Sequence, residues 1–194
     1  MNRLLLTVFL FLASTGWAGP IEDAEAAYKQ GDYATALRIL RPLAEQGMGR
    51  AQIKLGMMYD QGLGVAKDYE EAVKWFRMGA AQGNVWAQIT LGDMYSQGKD
   101  IARDYAEAVK WYRLAAVQGH ALGQVKLGLM YRRGFGVVQD YVLAQMWFNL
   151  GAVSGDADAV QNRDIITKEM TPQQIGEAQK MARECQARQL KGCD

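Results

Sequence analysis

The chain has 194 residues, 22 basic and 21 acidic, with one histidine and two cysteines. That near-neutral balance, with no long run of Lys and Arg, argues against nucleic acid and against anionic membrane surfaces, because both draw affinity from a basic stripe. One histidine and two cysteines cannot build the usual zinc sites, and no cofactor motif is present.

The first eighteen residues read differently from the rest. Arg3 is followed by an apolar run from Leu4 to Leu12, then by Gly16 and Ala18. This pattern predicts a secretory signal peptide over residues 1–18, cleaved before Gly19. The run is shorter than the ~20 residues of a spanning helix, although an uncleaved anchor with Trp17 at the bilayer interface is a second reading. Removing Arg3 leaves 21 basic and 21 acidic residues in the mature chain. No cysteine directly follows the cleavage point, so a lipid anchor is not expected. The mature chain carries no further membrane span and is expected in the bacterial periplasm or outside the cell.

Beyond the leader the chain repeats with a period of 36 residues. The first unit, 21–47, has a helix around Ala24 to Tyr28, a short turn at Gly31-Asp32-Tyr33, and a second helix through Ala36, Leu40 and Ala44. The second, 48–83, opens at Ala51. Its pattern of Leu55, Gly56, Tyr59 and Gly62 returns as Leu91, Gly92, Tyr95, Gly98 and as Leu127, Gly128, Tyr131, Gly134. Ile53, Leu55, Met58 and Tyr59 share one helix face. A glycine in mid-helix costs ~1 kcal/mol relative to alanine, so Gly56 implies a close neighbour.

The glycines from Gly62 break this A helix, and Val65 pins the loop. Asp68 then caps a B helix, with Glu71 expected to complete a capping box. Ala72, Trp75, Phe76 and Gly79 form its buried face. The third unit, 84–119, repeats this with Asp104, Glu107, Trp111 and Tyr112, and carries Asp100 where the loop's second glycine is expected. The fourth, 120–155, has Leu143 in place of the capping glutamate, which predicts a weaker cap. The fifth, 156–188, loses the core pattern, with Arg163, Asp164 and Thr167 replacing Leu, Gly and Tyr. Thr171-Pro172 then starts a last helix. Ten helices in five pairs follow, an all-α solenoid with a polar cap.

The LGxxYxxGxGV, D-Y-x-x-A and W-[FY]-x-x-[AG]-A elements, from about Ala24 to Arg188, resemble the Sel-one-like repeat, a relative of the tetratricopeptide repeat. The resemblance implies a right-handed superhelix whose A helices line a concave groove. It also implies an adaptor or scaffold role, with exported bacterial members serving envelope processes. It does not imply an activity. Some cysteine-rich relatives are linked to β-lactam binding or hydrolysis, but their cysteine pair in each repeat is absent here.

No GxSxG, SxxK, HExxH or P-loop pattern occurs, and no serine nucleophile is recognisable beside a base, so the chain reads as no enzyme. His120 reads as an inter-repeat turn residue. Cys185 and Cys193, in an exported chain, are expected to pair. A straight helix would hold them about 12 Å apart, so the chain must turn back near Leu190 to Gly192; two free thiols on a frayed tail are the other reading. Trp75, Trp111 and Trp147 recur in register and are structural, whereas Trp86 does not recur.

The groove is expected to present Arg50, Lys54, Met57 and Gln61 in one unit. Trp86, Thr90, Asp93 and Gln97 follow, then Leu122, Lys126, Leu129 and Arg133. Their mix of charge and apolar surface suits a protein or peptide partner held by an aromatic anchor. The leading reading is a non-catalytic interaction scaffold in the cell envelope. The alternatives are a regulator or inhibitor of a cell-wall enzyme and a weak β-lactam hydrolase.

Overall fold

The computed structural model describes residues 19–98 and 101–193. The leader and its cleavage point lie outside the described residues, as does the reading at Asp100. Among the described residues ten helices run in order: α1 (Pro20–Lys29), α2 (Tyr33–Glu45), α3 (Gly49–Gln61), α4 (Tyr69–Ala81), α5 (Val85–Gln97), α6 (Tyr105–Ala116), α7 (Ala121–Arg133), α8 (Tyr141–Val153), α9 (Ala157–Thr167) and α10 (Pro172–Ala187). No strand occurs among the described residues. Each odd-numbered A helix through α7 packs on the B helix that follows it, and each B helix packs on the next A helix, so the units stack in a line.

Local chemistry sets the helix ends. Asp32, Asp68, Asp104 and Asp140 each accept the backbone N–H three residues on, at 2.9–3.0 Å. Glu71 and Glu107 do not close a capping box. Their carboxylates turn to Lys74 and Lys110 at 3.1 and 2.7 Å. The cap at Asp140 therefore forms the same bond without a glutamate. The box that does form is Thr171 with Gln174. At the other ends of α3, α5 and α7, Gly62, Gly98 and Gly134 take left-handed φ of 64–72°, which glycine adopts without steric cost.

Gly56, Gly92 and Gly128 give way to aromatic rings. A Cβ there would lie 3.0 Å or less from Phe76, Tyr112 or Phe148 on the paired B helix. Those rings, with Trp75, Trp147 and the leucines Leu55, Leu91 and Leu127 that recur at one repeat position, are buried.

Two polar ladders tie one unit to the next. Arg41, Arg77 and Arg113 donate to the hydroxyls of Tyr59, Tyr95 and Tyr131 at 2.5–2.8 Å. Gln52, Gln88 and Gln124, all buried, donate to the carbonyls of Ala44, Ala80 and Ala116 at 3.1–3.2 Å, at the C-terminal turn of the preceding B helix where carbonyls lack helical partners. Gln82 and Gln118 extend this ladder by donating to the Oε1 of Gln52 and Gln88.

The C-terminal end departs from the pattern. α9 and α10 form a pair in sequence, but α10 packs chiefly along α8. α8 is suited to this because it carries no charged residue: Met146 and Leu143 replace Lys74 and Glu71 of the second unit. Leu150 is 5% exposed, while its equivalents Met78 and Leu114 are 41% and 45% exposed. Ala178, Ala182 and Cys185 form the stripe of α10 that is buried against the core. After α10, Gln189 and Leu190 turn the chain back with φ of 53° and 63°. Leu190 then rests against Gly119, and Cys193 joins Cys185 with Cα atoms 5.4 Å apart.

Candidate functional site

An extended concavity lies on the A-helix face between α3 and α5. One cleft of about 480 Å³ has Ile53, Met57 and Phe76 as its apolar lining, with Arg50, Lys54, Asp60 and Trp86 around them. A second, of about 450 Å³, is lined by Lys67, Tyr69, Asp93, Met94 and Gln97. Both are bounded by Asp60, Gln61 and Thr90, so they form one continuous trough.

The trough is positioned by the repeat itself. Residues of α3 and α5 facing away from the B helices recur every unit on this side. The side chains differ from unit to unit because stacking does not constrain them. Arg50 is held by Glu22 at 3.1 Å and Glu25 at 2.9 Å on α1. Lys54 lies 4.6 Å above the Tyr28 ring. Both cations are therefore engaged within the protein, and Arg50 reads as a rim residue already neutralised by two carboxylates. Trp86 is 62% exposed, its ring set edge-on to His120 with centroids 5.0 Å apart. His120 is the N-cap residue of α7 without a side-chain capping bond, so its ring is available to Trp86.

Asp93 behaves differently from Met57 and Leu129, which share its repeat position. It accepts from the Lys126 ammonium at 2.7 Å and from the Tyr112 hydroxyl at 2.7 Å. Ser96 lies 3.1 Å from the same hydroxyl. Burial first, and the Asp93 carboxylate as well, raise the Tyr112 phenol above its ordinary range. This cluster closes the trough on the α7 side.

Of the twelve residues expected in the groove, Arg50, Lys54, Met57, Gln61, Trp86, Thr90, Asp93 and Gln97 line the trough. Lys126, Leu129 and Arg133 line a separate, smaller cleft of about 200 Å³ floored by Tyr105 and Phe135, whose rings stack at 4.7 Å. Leu122 is half-buried and lines none of these three clefts. The trough also draws on Glu25, Ile53, Phe76 and Tyr69, which sequence reasoning did not place there. Ile53 and Phe76 were assigned wholly to the core, and nothing in the repeat register points to Glu25 on the irregular first unit. Among the described residues no cluster of His, Cys, Asp and Glu could hold a metal, and no helix is long and apolar enough to cross a membrane.

Comparison with known proteins gives the same architecture. The Sel1 repeat model matches residues 49–84, 87–120 and 121–156. A crystal structure of a Sel1 repeat protein from Oxalobacter formigenes is 36% identical, with a TM-score of 0.60, over 66% of this chain and 96% of that one. The c5321 protein, a protective antigen of uropathogenic Escherichia coli strains with an SLR fold, is 30% identical over 90% of this chain, with a TM-score of 0.61. This chain spans only 47% of that antigen's length. Helicobacter pylori cysteine rich protein B, at 20% identity and a TM-score of 0.50, shares the fold. No curated protein sequence matches. Sel1 repeats generally mediate protein–protein interaction as non-catalytic scaffolds. With three consecutive repeats on a fixed period, each carrying the same glycine, tyrosine and aromatic positions, the chain belongs to the Sel1 repeat family.

Proposed function

We propose that the protein is an exported, non-catalytic adaptor of the bacterial cell envelope, holding a segment of a partner protein in the trough between α3 and α5 with Trp86 as its anchor. The observation that carries this reading is Trp86 itself. Its position holds Arg50 and Leu122 in the neighbouring units, so stacking does not require an indole there, yet it stands largely exposed beside an apolar floor. Covering about 150 Å² of that side chain is worth about 3–4 kcal/mol before association costs. Gln61, Asn84 and Thr90 supply the polar rim that such an anchor needs. The description of c5321 as a protective antigen supports an exposed location, and the apolar leader supports export.

The test is capture of partners from envelope extracts by the mature chain and by Trp86→Ala. The variant should lose ~2 kcal/mol of binding, roughly thirtyfold, with circular dichroism and melting temperature unchanged. Loss of several degrees with capture intact would return Trp86 to the core. Intact-mass measurement of the periplasmic fraction should find a chain starting at Gly19; retained Met1 there contradicts the location. Turnover of nitrocefin by the purified chain would contradict the non-catalytic reading.

A further inference from the structure

The departure of α10 from α9 opens a second site, unrelated to the trough. Where a regular unit would close its own pair, a cleft of about 300 Å³ lies between α8, α9 and α10. Arg163 enters it from α9 and Arg183 from α10. Asn149 on α8 and Gln179 and Gln186 on α10 add amides, and Val153 on α8, 68% exposed, gives an apolar wall.

The polar ladder of the earlier units explains why Asn149 stands out. In three units an arginine donates to the tyrosine one half-period on. In the fourth, the two positions are Asn149 and Thr167, and the threonine hydroxyl is taken by Gln145 and by the Arg163 carbonyl. The Asn149 Nδ2 is left buried with no partner among the described residues. A buried donor without an acceptor costs about 1–3 kcal/mol; Asn149 lines the cleft, so turning its amide toward the opening would let a ligand oxygen recover that cost.

The charges define the ligand. Arg163 gives its Nε and Nη2 to Asp164 at 2.9 and 2.8 Å. Arg183 makes no ion pair among the described residues, and Lys180 and Glu184 pair with each other at 3.9 Å. The cleft therefore carries one net positive charge, which balances a monoanion and leaves a dianion overcharged. Planar guanidinium forks match a carboxylate. The volume, at the small end of ligand pockets, fits a short chain against Val153. We propose that this cleft binds a carboxylate carried on a short aliphatic chain.

The experiment follows the side-chain amide resonances of Asn149, Gln179 and Gln186 in the ¹⁵N-labelled mature protein as sodium pentanoate is added. Saturable shifts with a Kd of roughly 1 mM are expected, with neutral pentanamide giving none. Arg183→Gln should weaken pentanoate by roughly tenfold or more, and Arg183→Lys, which keeps charge but not the fork, by less. Arg163→Gln, on the opposite helix, gives an independent second reading should circular dichroism show that α10 is disturbed. Tighter binding of N-acetyl-alanyl-valine than of pentanoate would assign the carboxylate to a polypeptide C-terminus; weaker binding would assign it to a free acid. Shifts that fail to saturate, equal shifts with pentanamide or inorganic phosphate, or indifference to both arginine substitutions would overturn the proposal.

Discussion

Replacing Gly128 by alanine sets two effects of known size against each other. Alanine in a helix interior is favoured over glycine by ~1 kcal/mol. The new Cβ, however, would lie 2.5 and 2.8 Å from two ring carbons of Phe148, against a comfortable carbon–carbon separation of ~3.5–4.0 Å. Phe148 is fully buried in a cluster with Leu127, Met130 and Trp147, so its ring has little room to retreat. Overpacking of that kind costs ~1–3 kcal/mol. At 2.5 Å the cost lies in the upper half of that range, so after the helical gain the net loss should be about 1–2 kcal/mol, lowering the melting temperature by about 3–6 °C for a domain of this size. Gly56→Ala provides the internal control. There the nearest Phe76 ring atoms are 3.0 Å away, so the ring need shift only by a few tenths of an ångström and the helical gain offsets the cost. Its melting temperature should stay within about 2 °C of wild type. Thermal unfolding followed by circular dichroism reads both. If Gly128→Ala melts at or above wild type, or Gly56→Ala falls as far as Gly128→Ala, ring-on-glycine packing is not what holds each helix pair together.

Three further outcomes are expected. The Cys185–Cys193 link closes a loop of eight residues, so the double serine variant should lose about 2.5 kcal/mol in urea unfolding on a chain-entropy basis, and thiol titration of the exported protein should find no reactive cysteine. Tyr112 has its phenol raised above the ordinary 10.0 by burial, so the unfolded chain deprotonates first; stability should hold below about pH 10 and fall above it, and Tyr112→Phe should make that fall shallower between about pH 9 and 11. Gln88→Ala removes two inter-unit hydrogen bonds, to the Ala80 carbonyl and from the Gln118 amide, and should cost about 1–3 kcal/mol at about 0.5–1.5 kcal/mol each, whereas Gln97→Ala on the exposed trough should stay within about 0.5 kcal/mol.

The helices, the glycine turns and the aspartate caps were legible because each depends on side chains within one unit, and three units repeat them. The buried glutamines were not. Gln52, Gln88 and Gln124 recur as faithfully as the leucines, but a polar residue read alone looks like surface, and its acceptor sits on the previous unit. Asp93 shows the same limit. Its partners Tyr112 and Lys126 lie 19 and 33 residues away, on two other helices, so its place in the groove was legible but the cluster it anchors was not. The pairing of Arg50 was hidden for a related reason, since Glu22 and Glu25 belong to the first unit, whose shorter turn breaks the register.

The end of the solenoid follows from how its two ladders stop. A unit in mid-stack can expose Met78 or Leu114 singly, because its charged neighbours Lys74 and Arg77, or Lys110 and Arg113, keep the outer B-helix face wet. In the fourth unit those neighbours become Met146 and Asn149, so α8 carries no charge on either side, and its apolar residues Met146 and Leu150 must be covered. α10 can cover it only by leaving α9, and α9 tolerates this because Arg163, Asp164 and Thr167 have removed the leucine, glycine and tyrosine that a paired B helix would need. The loss of core pattern in α9 and the gain of apolar surface on α8 are therefore two halves of one change. Their common result is a terminus that closes the stack and leaves, beside Asn149, the cleft that an ordinary unit would have filled.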